Sequence, residues 1–291
     1  MMPHRQTNQL LGYPADARLL IVNADDFGMC HAVNEAIMDA LSEGIVRSTS
    51  LMVPCPWASQ ATHFLADHPE IPFGVHLTAI SDSANNRWRP LTAREEAPSL
   101  FDDGLLGQAR YFYDFEHMGE FLAQVRLDQL ELEFRAQIEV VLAAGLHPTH
   151  LDWHSLRISG QGDIFDVMFR LARAYGLALR VFTRSIIDKL QSQGFPTNDY
   201  DVLDSYLLDP ATKAARYAEL LHELPAGLSE WAVHPGLDTP EFLALEPAGD
   251  HIRQRDFDFW TSQQAKDLVW EEGIILLDYR PLQAVWASIQ T

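Results

Sequence analysis

The stretch RLLIVNADDFG, Arg18–Gly28, runs from a buried-strand pattern straight into two adjacent carboxylates, Asp25 and Asp26. A short continuous apolar run ending on a turn signal reads as a strand covered on both faces, as in a parallel sheet. The segment that follows, HAVNEAIMDALSEG (31–44), places Ala32, Ala36 and Ala40 with Ile37 and Leu41 on one helical stripe before Gly44 stops it. The same step recurs along the chain. STSLMVP (48–54), FGVHLTAI (73–80), PTHLDWHS (148–155), LALRVF (177–182), EWAVHPG (230–236) and IILLDY (274–279) read as strands. They alternate with helical patterns at 57–69, 118–145, 163–176, 211–227 and 259–273. Repeated βα units of this size imply a mainly parallel sheet, either closed as a barrel or open and doubly wound.

The polar residues favour the barrel. Asp25 and Asp26, His76, His154 and His234 each fall in or just after an expected strand, and in a βα barrel the C-terminal strand ends converge on one face. The expected fold is therefore α/β, a distorted (β/α) TIM-like barrel, with residues 1–291 forming one domain because no linker or low-complexity tract divides them. The segment from about Ser81 to His117 is longer than ordinary connections and is expected to be a loop insertion. Its Arg87, Trp88, Arg89, Tyr111, Phe112 and Tyr113 either cover a pocket or form a small core of their own.

Composition narrows the partners. With 21 Lys+Arg against 41 Asp+Glu the formal charge is -20, which repels nucleic acid and anionic lipid and favours a small neutral or cationic partner. Cys30 and Cys55 are too few for a disulfide framework and lie in no zinc-finger spacing. The opening residues lack the apolar core of a signal peptide, and no later run approaches the roughly 18 apolar residues that span a bilayer. A cytoplasmic location and no membrane partner are expected.

In GVHLT, alternation turns His76 away from Val75 and Leu77; in HPTHLDWHS, His150, Asp152 and His154 share one strand face while Leu151 and Trp153 take the other. A satisfied core histidine or a solvated edge strand explains each alone. Together with Asp26, however, His76 and His154 make a two-histidine, one-carboxylate set that holds a divalent metal with open positions. Asp25 would then take the proton of a water attacking beside that ion. His150 and Asp152 are candidates for orienting the ligating imidazoles. The alternative for DDFG is a turn or helix N-cap, and for VHPG (233–236) a generic turn that traps His234. RQRDFDFW (253–260) is expected to divide between core and surface, with Arg253, Arg255 and Asp256 as a solvated charge cluster or a subunit contact.

NADDFG, AVNEAI, STSLMV, GVHLT, RPL with PSLFDDG, HLDWH and VHPG, in that order across most of residues 19 to 236, make the chain similar to the YdjC-like (ChbG-type) carbohydrate deacetylases. The resemblance implies a distorted βα barrel, one divalent metal ion (Mg or Zn) and removal of an N-acetyl group from an amino sugar or short chitin-like oligosaccharide. It places Asp26, His76 and His154 at the metal, Asp25 as general base and His234 as the histidine that assists the intermediate or leaving group. The chain departs from the pattern after HLDWH, where Ser155, Leu156, Arg157 and Ile158 stand in place of further histidines. The expected partner is a small N-acetylated sugar, with a homodimer as candidate assembly. Hydrolysis of another amide and a non-catalytic carbohydrate-binding protein on the same fold are the alternatives. Retaining glycoside hydrolysis needs two carboxyls flanking a sugar bond, and fits three histidines less well.

Overall fold

The computed structural model describes residues 6–102, 110–156, 162–246 and 251–289. Arg157 and Ile158, and residues 103–109 of the insertion, lie outside them. Among the described residues eight strands are formed: β1 (Arg18–Phe27), β2 (Ser48–Leu51), β3 (Phe73–Leu77), β4 (His150–Trp153), β5 (Ala178–Leu179), β6 (Leu203–Asp204), β7 (Gly227–Val233) and β8 (Ile275–Leu277). Their order in the sheet is β5-β4-β3-β2-β1-β7-β6, and every pairing is parallel. Followed around the curl, the strands come in chain order from β1 to β7, as in a distorted βα barrel, with a seam between β5 and β6.

The opening strand organises the rest. From Leu19 onward every residue of β1 is buried, as the apolar run requires. At ten residues β1 is long enough to serve three neighbours. One edge pairs with β7 from Arg18 to Ala24; on the other, β8 takes Leu19–Ile21 and β2 takes the stretch from Asn23. At the seam a side chain replaces the ladder. Asn198 Oδ1 accepts from the Val181 amide at 3.3 Å and its Nδ2 donates to the Val181 carbonyl at 2.6 Å. The next residue, Asp199, exchanges bonds with Leu228 of β7, both of 2.7 Å.

The expected strands all appear, with differences that have physical causes. The helical stretch 118–145 splits into Met118–Gln124 and Leu127–Ala143, because the Arg126 amide turns out to Ser99 Oγ at 3.1 Å. Likewise 259–273 breaks where Ser262 caps a new helix, its hydroxyl accepting from the Ala265 amide. The two-residue β6 and the helices Gln6–Leu11, Arg184–Ser192 and Arg280–Ser288 were not expected. None of the described helices is long and apolar enough to cross a membrane. Cys30 and Cys55 are both buried and free.

The described residues of the 81–117 segment are tied down rather than loose. The fully buried Glu133 carboxylate accepts from the Leu91 and Thr92 amides and the Thr92 hydroxyl at 3.1, 2.9 and 2.7 Å, and Gln129 accepts from the Ser99 amide. Trp88 and Phe112 are buried, whereas Arg87 and Arg89 lie over the Tyr111 ring. The segment therefore has a core of its own, and it also reaches the strand ends: Trp88 meets His154 edge-on at 5.6 Å.

Candidate functional site

Alternation along a regular strand would send Asp25 and Asp26 to opposite faces. The register of β1 against β2 advances from Ala24↔Thr49 to Phe27↔Leu51, so β1 carries one extra residue there. This bulge, with Asp26 in the left-handed region at φ 72°, leaves both carboxylates buried in the interior. Gly28 (φ 102°) then completes the turn where the chain runs so close that a Cβ would stand 3.1 Å from Ala58 Cα and 3.2 Å from the Met52 carbonyl.

Asp26, His76 and His154 come together, their donor atoms all within 4.8 Å of one another. Asp26 Oδ1 is shared, lying 3.1 Å from His154 Nδ1 and 3.3 Å from His76 Nε2. The other ring nitrogens have their own carboxylates: His76 Nδ1 is 2.8 Å from Asp152 Oδ1, and His154 Nε2 is 2.8 Å from Asp82 Oδ1. Asp26 Oδ2 accepts from Arg253 Nη2 at 2.8 Å. All three residues are at most 3% exposed.

The electrostatics follow from those pairs. Burial would raise the Asp26 carboxyl, but Arg253 and the bonds from His154 and His76 hold it well below the usual carboxylate range. Burial works against protonating His76, yet the charge and hydrogen bond of Asp152, then Asp26, push it up to about 10. Asp82 and Asp26 likewise overcome burial at His154 and push it up to about 9. Each shift therefore favours the charged form of its group, carboxylate at Asp26 and imidazolium at His76 and His154.

Asp25 is held differently. Arg180 grips it with both terminal nitrogens, Nη1 to Oδ2 at 2.6 Å and Nη2 to Oδ1 at 2.9 Å, and Asn23 Nδ2 donates to Oδ1 at 2.7 Å. The same guanidinium reaches Asp152 Oδ2 at 3.1 Å and Glu230 Oε1 at 2.6 Å, and Glu230 also accepts from the Tyr279 hydroxyl at 2.5 Å. Burial raises the Glu230 carboxyl against the opposing pull of Arg180 and Tyr279.

His234 follows β7 directly. The β1–β7 register ends at Ala24↔Val233, so the next residues in line are Asp25 and His234. Its Nδ1 lies 2.7 Å from Ser205 Oγ, its amide donates to Asp256 Oδ2 at 2.8 Å, and its ring meets Tyr206 edge-on. Arg253 and Asp256 are buried at 3% and 0%, so neither belongs to a solvated charge cluster; Arg255 is exposed.

His150 and Asp152 part company. Asp152 touches His76, whereas His150 Nε2 stands 3.9 Å from Asp152, beyond hydrogen-bond reach, and its ring stacks on Tyr279 with centroids 3.6 Å apart. Burial, with Arg180 and His76 adding to it, pushes the His150 imidazole down to about 3 and keeps it neutral. Gly74 makes room for this ring, since a Cβ there would lie 2.5 Å from Nε2. Trapped against Tyr279, the ring cannot retreat, so Gly74→Ala is expected to cost about 1–3 kcal/mol of stability, read as a lower urea midpoint.

Arg180, Glu230, Tyr279, Arg253 and Asp82 were not singled out as site residues from the sequence. Arg180 and Glu230 did carry a signal: each is a lone charge inside an apolar strand, LALRVF and GLSEWAV. Asp82, in the polar run SDSANN, carried none.

The family model described as YdjC-like protein matches residues 19–271. A carbohydrate deacetylase from Enterococcus faecalis is 32% identical over 271 residues, covering 90% of this chain and 97% of the relative. One from Geobacillus stearothermophilus is 31% identical over 267 residues, with 90% and 97% covered. A solved structure of an Enterococcus faecalis protein superimposes with a TM-score of 0.77 at 30% identity, over 91% of this chain and 99% of that one.

Proposed function

The chain belongs to the YdjC-like family, and from that premise we propose that it is a divalent-cation-dependent carbohydrate deacetylase that hydrolyses the N-acetyl group of an amino sugar or short chitin-like oligosaccharide. The observation that carries the reading is the bulge at Asp25 and Asp26, which sets Asp26 against two imidazoles while Asp25, beside His76 and Asp152, is gripped by Arg180. Asp26, His76 and His154 fit a cation: they offer one oxygen and two nitrogens in a buried position, and each ring has its other nitrogen on a carboxylate, Asp152 for His76 and Asp82 for His154. Two imidazoles suit Zn²⁺ better than Mg²⁺, which prefers oxygen donors. When bound, such an ion polarises a carbonyl and lowers the pKa of water beside it.

The protein's own groups supply the rest. A carboxylate offers about four lone pairs. Asn23 and Arg180 occupy both on Asp25 Oδ1, and Arg180 occupies one on Oδ2. The remaining Oδ2 lone pair is the place for the proton of the attacking water, and the guanidinium fork keeps it aimed. Ser205 holds His234 Nδ1, which leaves Nε2 to give a proton to the departing amine. Asp152 fixes the His76 ring through Nδ1, so that Nε2 faces Asp26. A single folded domain acting on a small sugar in the cytoplasm completes the reading.

The test is acetate release from a panel of N-acetylated amino sugars and other amides. Activity on the sugars is expected, abolished by a chelator and restored by Zn²⁺ or Mg²⁺. Release that a chelator leaves untouched would overturn the cation; a preference for non-sugar amides would overturn the substrate class; sugar bound without acetate release would make this a binding protein.

A further inference from the structure

Each of the two imidazoles at Asp26 has its far nitrogen on a different carboxylate, and the two carboxylates come from different parts of the chain. Asp152 lies on β4, directly paired with His76 across the β3–β4 ladder. Asp82 lies in the insertion, where it is 25% exposed in its side chain and is steadied by Asn86, whose Nδ2 donates to Asp82 Oδ2 at 3.2 Å. Trp88, six residues on, lies against the His154 ring, and its indole N–H is tied to the Ile80 carbonyl at 3.2 Å. The insertion thus touches His154 twice, with a carboxylate on its ring nitrogen and an aromatic edge on its flank.

We propose that Asp82 is the positioning residue for His154: by accepting a hydrogen bond from Nε2–H it fixes the tautomer and presents Nδ1, the nitrogen 3.1 Å from Asp26 Oδ1, to the cation. The inference rests on the cation reading given above and adds a purpose for the insertion, that of completing the ion site. His76 and His154 then use opposite nitrogens, Nε2 and Nδ1, each with an oriented partner behind it. His154 stands just past the end of β4, its amide donating to the Leu77 carbonyl, so no ladder position on its far side brings it a carboxylate. The insertion supplies one instead. Ligating histidines ordinarily donate their second N–H to a carboxylate or carbonyl, and loss of that partner typically weakens metal binding about 10–100-fold.

The experiment is Zn²⁺ affinity by competition with a chromophoric chelator, without substrate, on wild type, Asp82→Ala, Asp82→Asn and Asn86→Ala. Asp82→Ala is expected to bind about 10–100-fold more weakly, with the ion-free protein still unfolding in one cooperative transition at a lower Tm, because His154 loses its paired carboxylate. Asp82→Asn keeps an acceptor oxygen and is expected to fall between. Asn86→Ala, which disturbs the loop but leaves the carboxylate, is expected to stay within about threefold of wild type. Nitrogen-15 spectra of the Zn²⁺-loaded wild type are expected to report His154 bound through Nδ1 and protonated on Nε2.

Wild-type affinity in Asp82→Ala, or coordination through His154 Nε2, overturns the inference and leaves the cation reading standing. Equal losses in Asp82→Ala and Asn86→Ala overturn it in favour of a merely structural loop. A wild-type chain that takes up neither Zn²⁺ nor Mg²⁺ in the same assay removes the reading beneath it. Should Asp82→Ala fail to fold, Asp82→Asn and the tautomer measurement decide by themselves.

Discussion

An Asp25→Asn chain is expected to release acetate from an N-acetylated amino sugar about 10²–10⁴-fold more slowly than wild type, while binding a divalent cation with affinity within a few-fold of it. The asparagine oxygen can still accept from Arg180 and Asn23, but its amide nitrogen replaces the acceptor Oδ2 that carries the free lone pair. Arg180 keeps Asp152 and Glu230 as partners, so the substitution removes the proposed base without stripping the guanidinium of counter-charge. Asp26→Asn is the matching control. Its side chain sits between the two imidazoles and Arg253, and its replacement is expected to abolish cation binding and turnover together. Single-turnover rates and equilibrium dialysis, measured on both variants, separate the roles. Near-normal turnover in Asp25→Asn would remove the base assignment, and loss of the cation from both variants would mean that the two carboxylates act as one unit.

That asymmetry between neighbours was only half legible in the sequence. The apolar run before Asp25 and Asp26 announces a strand, and the turn signal in DDFG announces its end. What alternation alone does not reveal is the bulge that turns both carboxylates inward, because one extra residue in a ladder is a property of the pairing and not of either strand. His76 and His154 were readable because a histidine in or just after a buried strand stands out against aliphatic neighbours. Arg253 was not. RQRDFDFW reads as a charged helix face, and only the packing of helix Ile252–Trp260 against the end of β7 shows Arg253 turned inward to Asp26. Gly236 permits that approach, since a Cβ there would stand 2.9 Å from Arg253 Cβ. The strand β6 was missed for a simpler reason: two half-buried residues carry no period.

The second large effect concerns stability. Arg180→Met is expected to cost about 3–5 kcal/mol, read as a collapse of the urea midpoint or as failure to accumulate folded protein, because it removes one partner from several buried ion pairs. Arg180 is 1% exposed and is the shared counter-charge of Asp25, Asp152 and Glu230. Without it, Asp25 keeps only Asn23 among these polar contacts, Glu230 only the Tyr279 hydroxyl, and Asp152 chiefly His76. A buried carboxyl raised by burial avoids stranded charge by taking up a proton, so the variant is expected to regain stability as pH falls through the range where Glu230 titrates. The sign is definite: a carboxyl whose folded-state pKa lies above its unfolded value favours the folded chain at low pH and loses that contribution as pH rises through the folded value. Glu230, which burial already raises despite Arg180, should lead this behaviour. Arg180→Lys, which keeps the charge and loses the fork, should recover much of the stability but not the two-pronged grip on Asp25, leaving a folded chain with slower turnover. A stable Arg180→Met chain with no pH dependence would mean that the three carboxylates find other partners, and that the guanidinium is not what holds the interior of the barrel together.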